Sequence, residues 1–490
     1  MDSIEAMGGK NMRKNLLKSK CFVFIICLIF IINLFTTFEN IEGTNFDKYL
    51  DQENVNVLID EKTSKLGWEL LSDGFGNPSN FATRGICTYE DELYFGTDNF
   101  NHSRRVNLKE IMNYIIDGFQ RGNFKPWPQF IYSLKSDGCE VWKYNDSTGQ
   151  FTQIVGNLPE ASIEAGFGTP VNSLASFVIG FKDKLYVGTD SNVLIGCEIW
   201  RYDGSDWEMV VSGGFGDPRN DGAHSAIVFK DQLYVGTMNW DSSEIGFCQV
   251  WRTSDGENWT KVVDRGFRDF DTTEKTNNRY AWNFGIYQDE IYVGTYNNPT
   301  LFGHNGGQLW KSPDGVSWTK VEVPGGDGFG EPMNYGMRNI EEFNGWLYVG
   351  AATMGPNALE IWKYNGETWV PEIGDEVPGV KFKPKHIRND GFGDKNNDYP
   401  FSMIVTSDNF LWVGTSNSKG CEMFRYNGSN WKQIVGDHED SEIPNGFGFK
   451  YNVGIRSMLE YPEGSGDIII GTSTTFSNPG TCQIWKRSAS

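Results

Sequence analysis

Seven residues occupy one position of a repeated unit: Arg84, Ser176, His224, Trp282, Arg338, Phe401 and Arg456. They align on an aromatic or equivalent residue five positions later. Three arginines, a histidine and a tryptophan on one rim could bind a carboxylate or a sugar acid. Guanidinium forks take carboxylates bidentately, and an indole face suits a sugar ring. The same residues could instead be structural, each arginine pairing with an acid of an adjacent loop such as Asp73, Asp327 or Glu331. The ligand-binding candidates are therefore Arg84, His224, Trp282, Arg338 and Arg456, with no catalytic residue assigned.

Other chemistry has little support in the sequence. There is no His-Glu-x-x-His or Cys-x-x-Cys, and the 5 histidines are scattered, which disfavours a zinc site. The stretch Gly325-Gly326-Asp327-Gly328-Phe329-Gly330 lacks the Lys-Ser/Thr and the helix of a phosphate loop. Asp217 and Asp394 follow Gly-Phe-Gly turns and could coordinate calcium. Because Thr169 and Phe449 replace them in other copies, they read mainly as turn residues. No other cofactor is expected.

The elements that position these residues come from a repeat. Gly-Phe anchors begin at Gly74, Gly166, Gly214, Gly266, Gly328, Gly391 and Gly446. Each is followed by an apolar run and then a Leu-Tyr-Val-Gly-Thr element, starting at Leu93, Leu185, Leu233, Ile291, Leu347, Leu411 and Ile468. A third element carries Trp142, Trp200, Trp251, Trp310, Trp362, Phe424 and Trp485. A period of roughly 45–60 residues with several strand-like runs per copy marks a propeller or array. Asp-Gly or Asn-Gly pairs such as Asp255-Gly256 supply tight turns between the third and fourth strands. The fourth-strand aromatics are Trp68, Phe151, Trp207, Trp259, Trp318, Trp369 and Trp431. The first of these precedes the first anchor, and the last copy ends without one. The expected fold is therefore all-β: a seven-bladed propeller of four-stranded blades, closed by residues 67–71 completing the last blade.

Thr253-Ser254-Asp255-Gly256-Glu257-Asn258-Trp259 and Ser312-Pro313-Asp314-Gly315-Val316-Ser317-Trp318 resemble the Asp-box turns of sialidase- and sortilin-type propellers, without the spacer between Asp and Gly. The Leu-Tyr-Val-Gly-Thr element and the later Trp resemble kelch repeats, without their Gly-Gly pair. The resemblance covers 67–490 at the level of architecture and implies no catalytic assignment. Sialidases combine three arginines with a Tyr–Glu nucleophile pair; Tyr280 and Tyr399 lie near the rim, but no Glu partner is evident.

The long loops on one face make it the expected working face. They include an insertion at 99–136, in which Leu108 to Phe119 reads as a short amphipathic helix followed by Trp127 and Phe130. It is either a ligand cap or a decoration without chemistry.

The chain starts with a basic region, 1–20, and an apolar run, 21–38, that reads as a signal anchor or signal peptide, hence a transmembrane helix or a cleaved leader. A polar stalk, 39–66, follows. This predicts a membrane-anchored cell-surface protein with the propeller outside, or a secreted one if the segment is cleaved. Sequons at Asn101, Asn145, Asn258 and Asn427 are compatible with export. The formal net charge of −21 disfavours nucleic acid. Cys139, Cys197, Cys248, Cys421 and Cys482 share one repeat position, filled elsewhere by Gly307 and Leu359. Equivalent positions of a ring are too far apart for disulfides, so none is expected. Two functions remain: a binding or scaffolding module for a glycan, peptide or protein, or a glycan-active hydrolase or lyase at the same mouth.

Overall fold

The computed structural model describes residues 64–101, 104, 135–191, 195–239, 247–267, 278–297, 306–353, 357–374, 387–474 and 481–489. The expected N-terminal anchor, most of the stalk and nearly all of the 99–136 insertion lie outside them. Among the described residues no helix is long and apolar enough to cross a membrane.

Each repeat begins with a conformation that phenylalanine rarely adopts. The Gly-Phe phenylalanines, from Phe75 (φ 55°) to Phe447 (φ 58°), all sit in the left-handed region, at a cost of about 1–2 kcal/mol each. Aromatic packing offsets it. Phe167 stacks on Trp200 at 4.9 Å and meets Trp207 edge-on at 5.0 Å. Phe75, Phe215, Phe267, Phe329, Phe392 and Phe447 make the same two contacts in the other repeats. The widely spaced Gly-Phe and Trp signatures are thus one physical unit.

A buried polar network holds the loop. In the third repeat Asn220 donates to the Gly214 carbonyl at 2.9 Å and to Gln249 at 2.8 Å, and Trp251 donates to Gln249 at 2.9 Å. Thr237 donates to Asn220 at 3.1 Å. The equivalent asparagines all make the carbonyl bond, at 2.8–3.2 Å. In the fifth repeat Ala351 replaces the threonine, and Asn334 Oδ1 has no hydrogen-bond partner among the described residues.

Among the described residues the strands number β1 to β28, and their pairings are antiparallel. In the first repeat β2 (Asn80–Tyr89), β3 (Glu92–Asn99), β4 (Val141–Asn145) and β5 (Gln150–Val155) pair in succession. Five further four-strand runs and a last run of three strands follow, and their innermost strands are β6 (Leu174–Phe181), β10 (Gly222–Phe229), β14 (Asn278–Tyr287), β18 (Gly336–Phe343), β22 (Asn397–Thr406) and β26 (Gly454–Glu460). Single bridges link neighbouring runs, for example Asp98↔Leu174 and Asp190↔Gly222. The bridge Ser473↔Ala82 joins the last run to the first. β1 (Trp68–Asp73) pairs with β28 (Gln483–Arg487), putting the start of this region beside its end. The arrangement is a β-propeller.

Asp255 and Asp314 accept from backbone N–H groups two and three residues on, at 2.7–2.9 Å. These contacts tighten the third-to-fourth turns and hold both carboxyls well below the usual range. The described cysteines are free thiols, and Cys139, Cys197, Cys248, Cys421 and Cys482 are fully buried between strands. Cys21 and Cys27 lie outside the described residues.

Candidate functional site

Every innermost strand carries a bulge at the same place, and β2, β14 and β22 carry a second one nearer their start. Pairing skips a residue between Thr83 and Gly85, Ala175 and Phe177, Ala223 and Ser225, and Ala281 and Asn283. It skips again between Met337 and Asn339, Pro400 and Ser402, and Ile455 and Ser457. The skipped residues are Arg84, Ser176, His224, Trp282, Arg338, Phe401 and Arg456. A bulge bends its strand and re-aims one side chain. All seven of these side chains line one central cavity of about 260 Å³. The five candidates from sequence, Arg84, His224, Trp282, Arg338 and Arg456, are therefore brought together, with Ser176 and Phe401 completing the ring.

The arginines are not equivalent. Arg84 donates to Asp98 through Nε at 3.3 Å and Nη2 at 3.1 Å. Asp98 is almost fully buried at 1% exposure, and burial raises its carboxyl against the lowering effect of Arg84 and Arg456. Arg84 Nη1 also meets His224 Nδ1 at 3.4 Å. Because a guanidinium can only donate, Nδ1 is the acceptor and the histidine hydrogen sits on Nε2. Burial, with the charges of Arg84, Arg338 and Arg456, pushes His224 well below its ordinary value, so it is neutral at physiological pH.

Arg338 is 8% exposed and has no carboxylate partner among the described residues. Its Nε donates to the Phe401 carbonyl at 3.2 Å. The guanidinium lies over Trp282 at 4.9 Å, Phe401 at 4.9 Å and Tyr399 at 5.6 Å. Arg456 lies over the same Phe401 ring at 4.6 Å. Burial, then the neighbouring Arg456, brings Arg338 down to about 9, which still leaves it charged at neutral pH. Cation–π contacts compensate part of its desolvation, on the order of 1–2 kcal/mol each when dry. Trp282 is itself packed by Tyr335 at 5.8 Å and by Arg338. It holds Arg338 in place and leaves little indole face for a sugar.

The alternative pairings anticipated for the arginines do not form with the loop acids named. Asp327 bonds Lys320 at 2.8 Å and Gln308 at 2.8 Å, and Asp73 accepts from Thr481. Arg84 instead uses Asp98, which ends its own hairpin. The clue available in the sequence was the acid directly after Gly-Thr in the first repeat, where most copies carry none. Asp217 is held by Arg219 at 2.7 and 2.8 Å, and Asp394 accepts from Asn396 and Asn417, so both act as turn acceptors. Among the described residues, no three His, Cys, Asp or Glu side chains converge as metal ligands.

No protein-family model matches the sequence, and no curated protein matches it. Solved structures similar in shape include the protein YCF48 from Cyanidioschyzon merolae, at 10% identity and TM-score 0.44, covering 86% of this chain and 99% of that one. A Penicillium chrysogenum alpha-L-arabinanase complexed with arabinobiose has 10% identity and TM-score 0.39, covering 86% and 98%. A prolyl endopeptidase has 9% identity and TM-score 0.40, covering 87% of this chain; the chain spans about half, 52%, of that structure.

Proposed function

We propose that this protein is an exported, membrane-anchored surface propeller that binds an anionic ligand at its central cavity. Six four-strand runs, and a last run of three strands that β1 completes by pairing with β28, support seven blades closed by the N-terminal strand. The basic and apolar start supports export. The observation that carries the binding reading is Arg338, a buried guanidinium with no carboxylate partner among the described residues, opening on a cavity shared with Arg84 and Arg456. Desolvating an unmatched cation destabilises the fold, and an anion arriving in the cavity offsets that cost.

The test follows from that imbalance. Arg338→Met should raise thermal stability in ligand-free protein and weaken acidic ligands by about 1.5–3 kcal/mol, the worth of a charge-assisted hydrogen bond. Neutral ligands should be little affected, and added salt should weaken acidic ligands more in the parent than in the variant. Lower stability with unchanged anion affinity would make Arg338 a structural residue.

The second reading is a glycan-active enzyme at the same mouth, with Asp98, bonded to the cavity-lining Arg84, as the acid to test. Its Oδ1 is buried without a hydrogen-bond partner among the described residues, and Arg84 also touches the neutral His224. Reducing-end release from glycans, abolished by Asp98→Asn in a protein that still binds, would support it. Binding without turnover supports the module.

A further inference from the structure

The cavity has two chemically different halves. Trp282, Arg338 and Phe401 come from consecutive repeats, and Tyr399 packs on the same guanidinium. Ser176 stands in the second repeat, three steps from Arg338 in one direction around the ring and four in the other. It is flanked by Arg84 and His224, which reach past it to touch each other.

Ser176 is 5% exposed, and its Oγ has no hydrogen-bond partner among the described residues. A buried hydroxyl without a partner costs stability unless something satisfies it. Two unmatched polar groups, one cationic and one neutral, thus line opposite sides of one cavity. The volume limits what can satisfy both. At about 260 Å³ the cavity lies at the small end of ligand pockets, which run from about 300 to 1,000 Å³.

We infer that the cavity takes a small hydroxylated organic acid, its carboxylate on Arg338 and a hydroxyl on the Ser176–His224 side, the size class running from short hydroxy acids to a single sugar acid. This rests on the anion-binding reading and narrows it. The Nε of Arg338 is committed to Phe401, which leaves Nη1 and Nη2 as the fork for the carboxylate. On the far side, Ser176 both donates and accepts, and His224 Nε2–H donates. A site built to hydrogen-bond a hydroxyl discriminates strongly against an analogue lacking it, because its own polar groups would stay unpaired.

Titration calorimetry on the full chain, with acids paired to counterparts lacking one function, tests this. The probes are lactate against propionate, galacturonate against galactose, and galacturonate against cyclohexanecarboxylate, with trigalacturonate as the longer chain. At least one hydroxy acid should bind tenfold or more tightly than both its deoxygenated and its neutral counterparts. Ser176→Ala should lower that affinity about tenfold and leave cyclohexanecarboxylate unchanged. Trigalacturonate should bind no better than the monomer. If cyclohexanecarboxylate matches galacturonate and Ser176→Ala changes nothing, the hydroxylated-acid assignment is overturned while anion binding stands. If trigalacturonate binds far better, the small-ligand assignment falls. If no acid binds either parent or variant, the anion-binding reading itself fails.

Discussion

Removing the side chain of Trp68 should open the ring at its seam. Trp68 is 2% exposed, the most buried of the fourth-strand aromatics, although it precedes every other element of the region. Its ring meets Phe447 edge-on at 5.7 Å and Trp485 at 6.5 Å, and Nε1 donates to Glu442 at 3.1 Å. Trp68→Ala leaves a cavity among these rings and should cost about 3–5 kcal/mol, the range for large aromatic truncations in cores. Trp68→Phe keeps a ring and loses the N–H. Glu442 retains Arg487 at 2.9 and 3.1 Å, so the phenylalanine variant should cost only about 1 kcal/mol for the hydrogen bond, plus a smaller packing loss. Urea titration followed by tryptophan fluorescence and circular dichroism measures both, with Trp207→Ala as the control. Trp207 holds the same position in the second repeat but is only partly buried, so its loss should cost less. If Trp68→Ala unfolds at the parent midpoint, or if truncation to residue 74 does, β1 is dispensable and the seam is not where the ring is closed.

Glu360 and Glu422 are both pushed up to about 7, chiefly by burial. The folded chain therefore holds extra protons between about pH 4.5 and 7, so their contribution is full below pH 4.5 and is lost as pH rises through 7. Glu422→Gln places there the amide already present at Gln249, Gln308 and Gln483. It should flatten the stability profile from pH 5 to 8 and gain up to about 3 kcal/mol at pH 8, an upper limit set by the size of the shift. An unchanged slope in pH-dependent denaturation would show that Glu422 does not titrate in this range. Asp98→Ala removes the carboxylate that Arg84 bonds and should lower stability by about 3–5 kcal/mol, whereas Asp98→Leu combined with Arg84→Met should recover most of it. Equal losses in single and double variants, measured by denaturant titration, would show that the pair is not the source of the effect.

The sequence alone determined the strand order and the repeat. Gly-Phe turns, Leu-Tyr-Val-Gly-Thr runs and paired tryptophans obey local rules: left-handed backbone at the turn, strand periodicity, and turn chemistry at Asp-Gly. Alignment on those rules was enough to bring Arg84, His224, Trp282, Arg338 and Arg456 to one ring, because identical local geometry repeated around an axis puts equivalent residues at equivalent places. The aim and partnership of each side chain depended on tertiary structure. Whether Arg84 meets Asp73 or Asp98 is decided by strand pairing within its own hairpin, and the contact with His224 spans 140 residues. Arg338 is left without an acid because its neighbours Trp282, Tyr399 and Phe401 come from two other repeats and close around it. The bulge that turns all seven side chains inward has no mark in the sequence, since it arises from the mismatch between two paired strands. Pattern therefore specified the ring, and the three-dimensional neighbours of each rim residue decided which charge is satisfied and which remains open to a ligand.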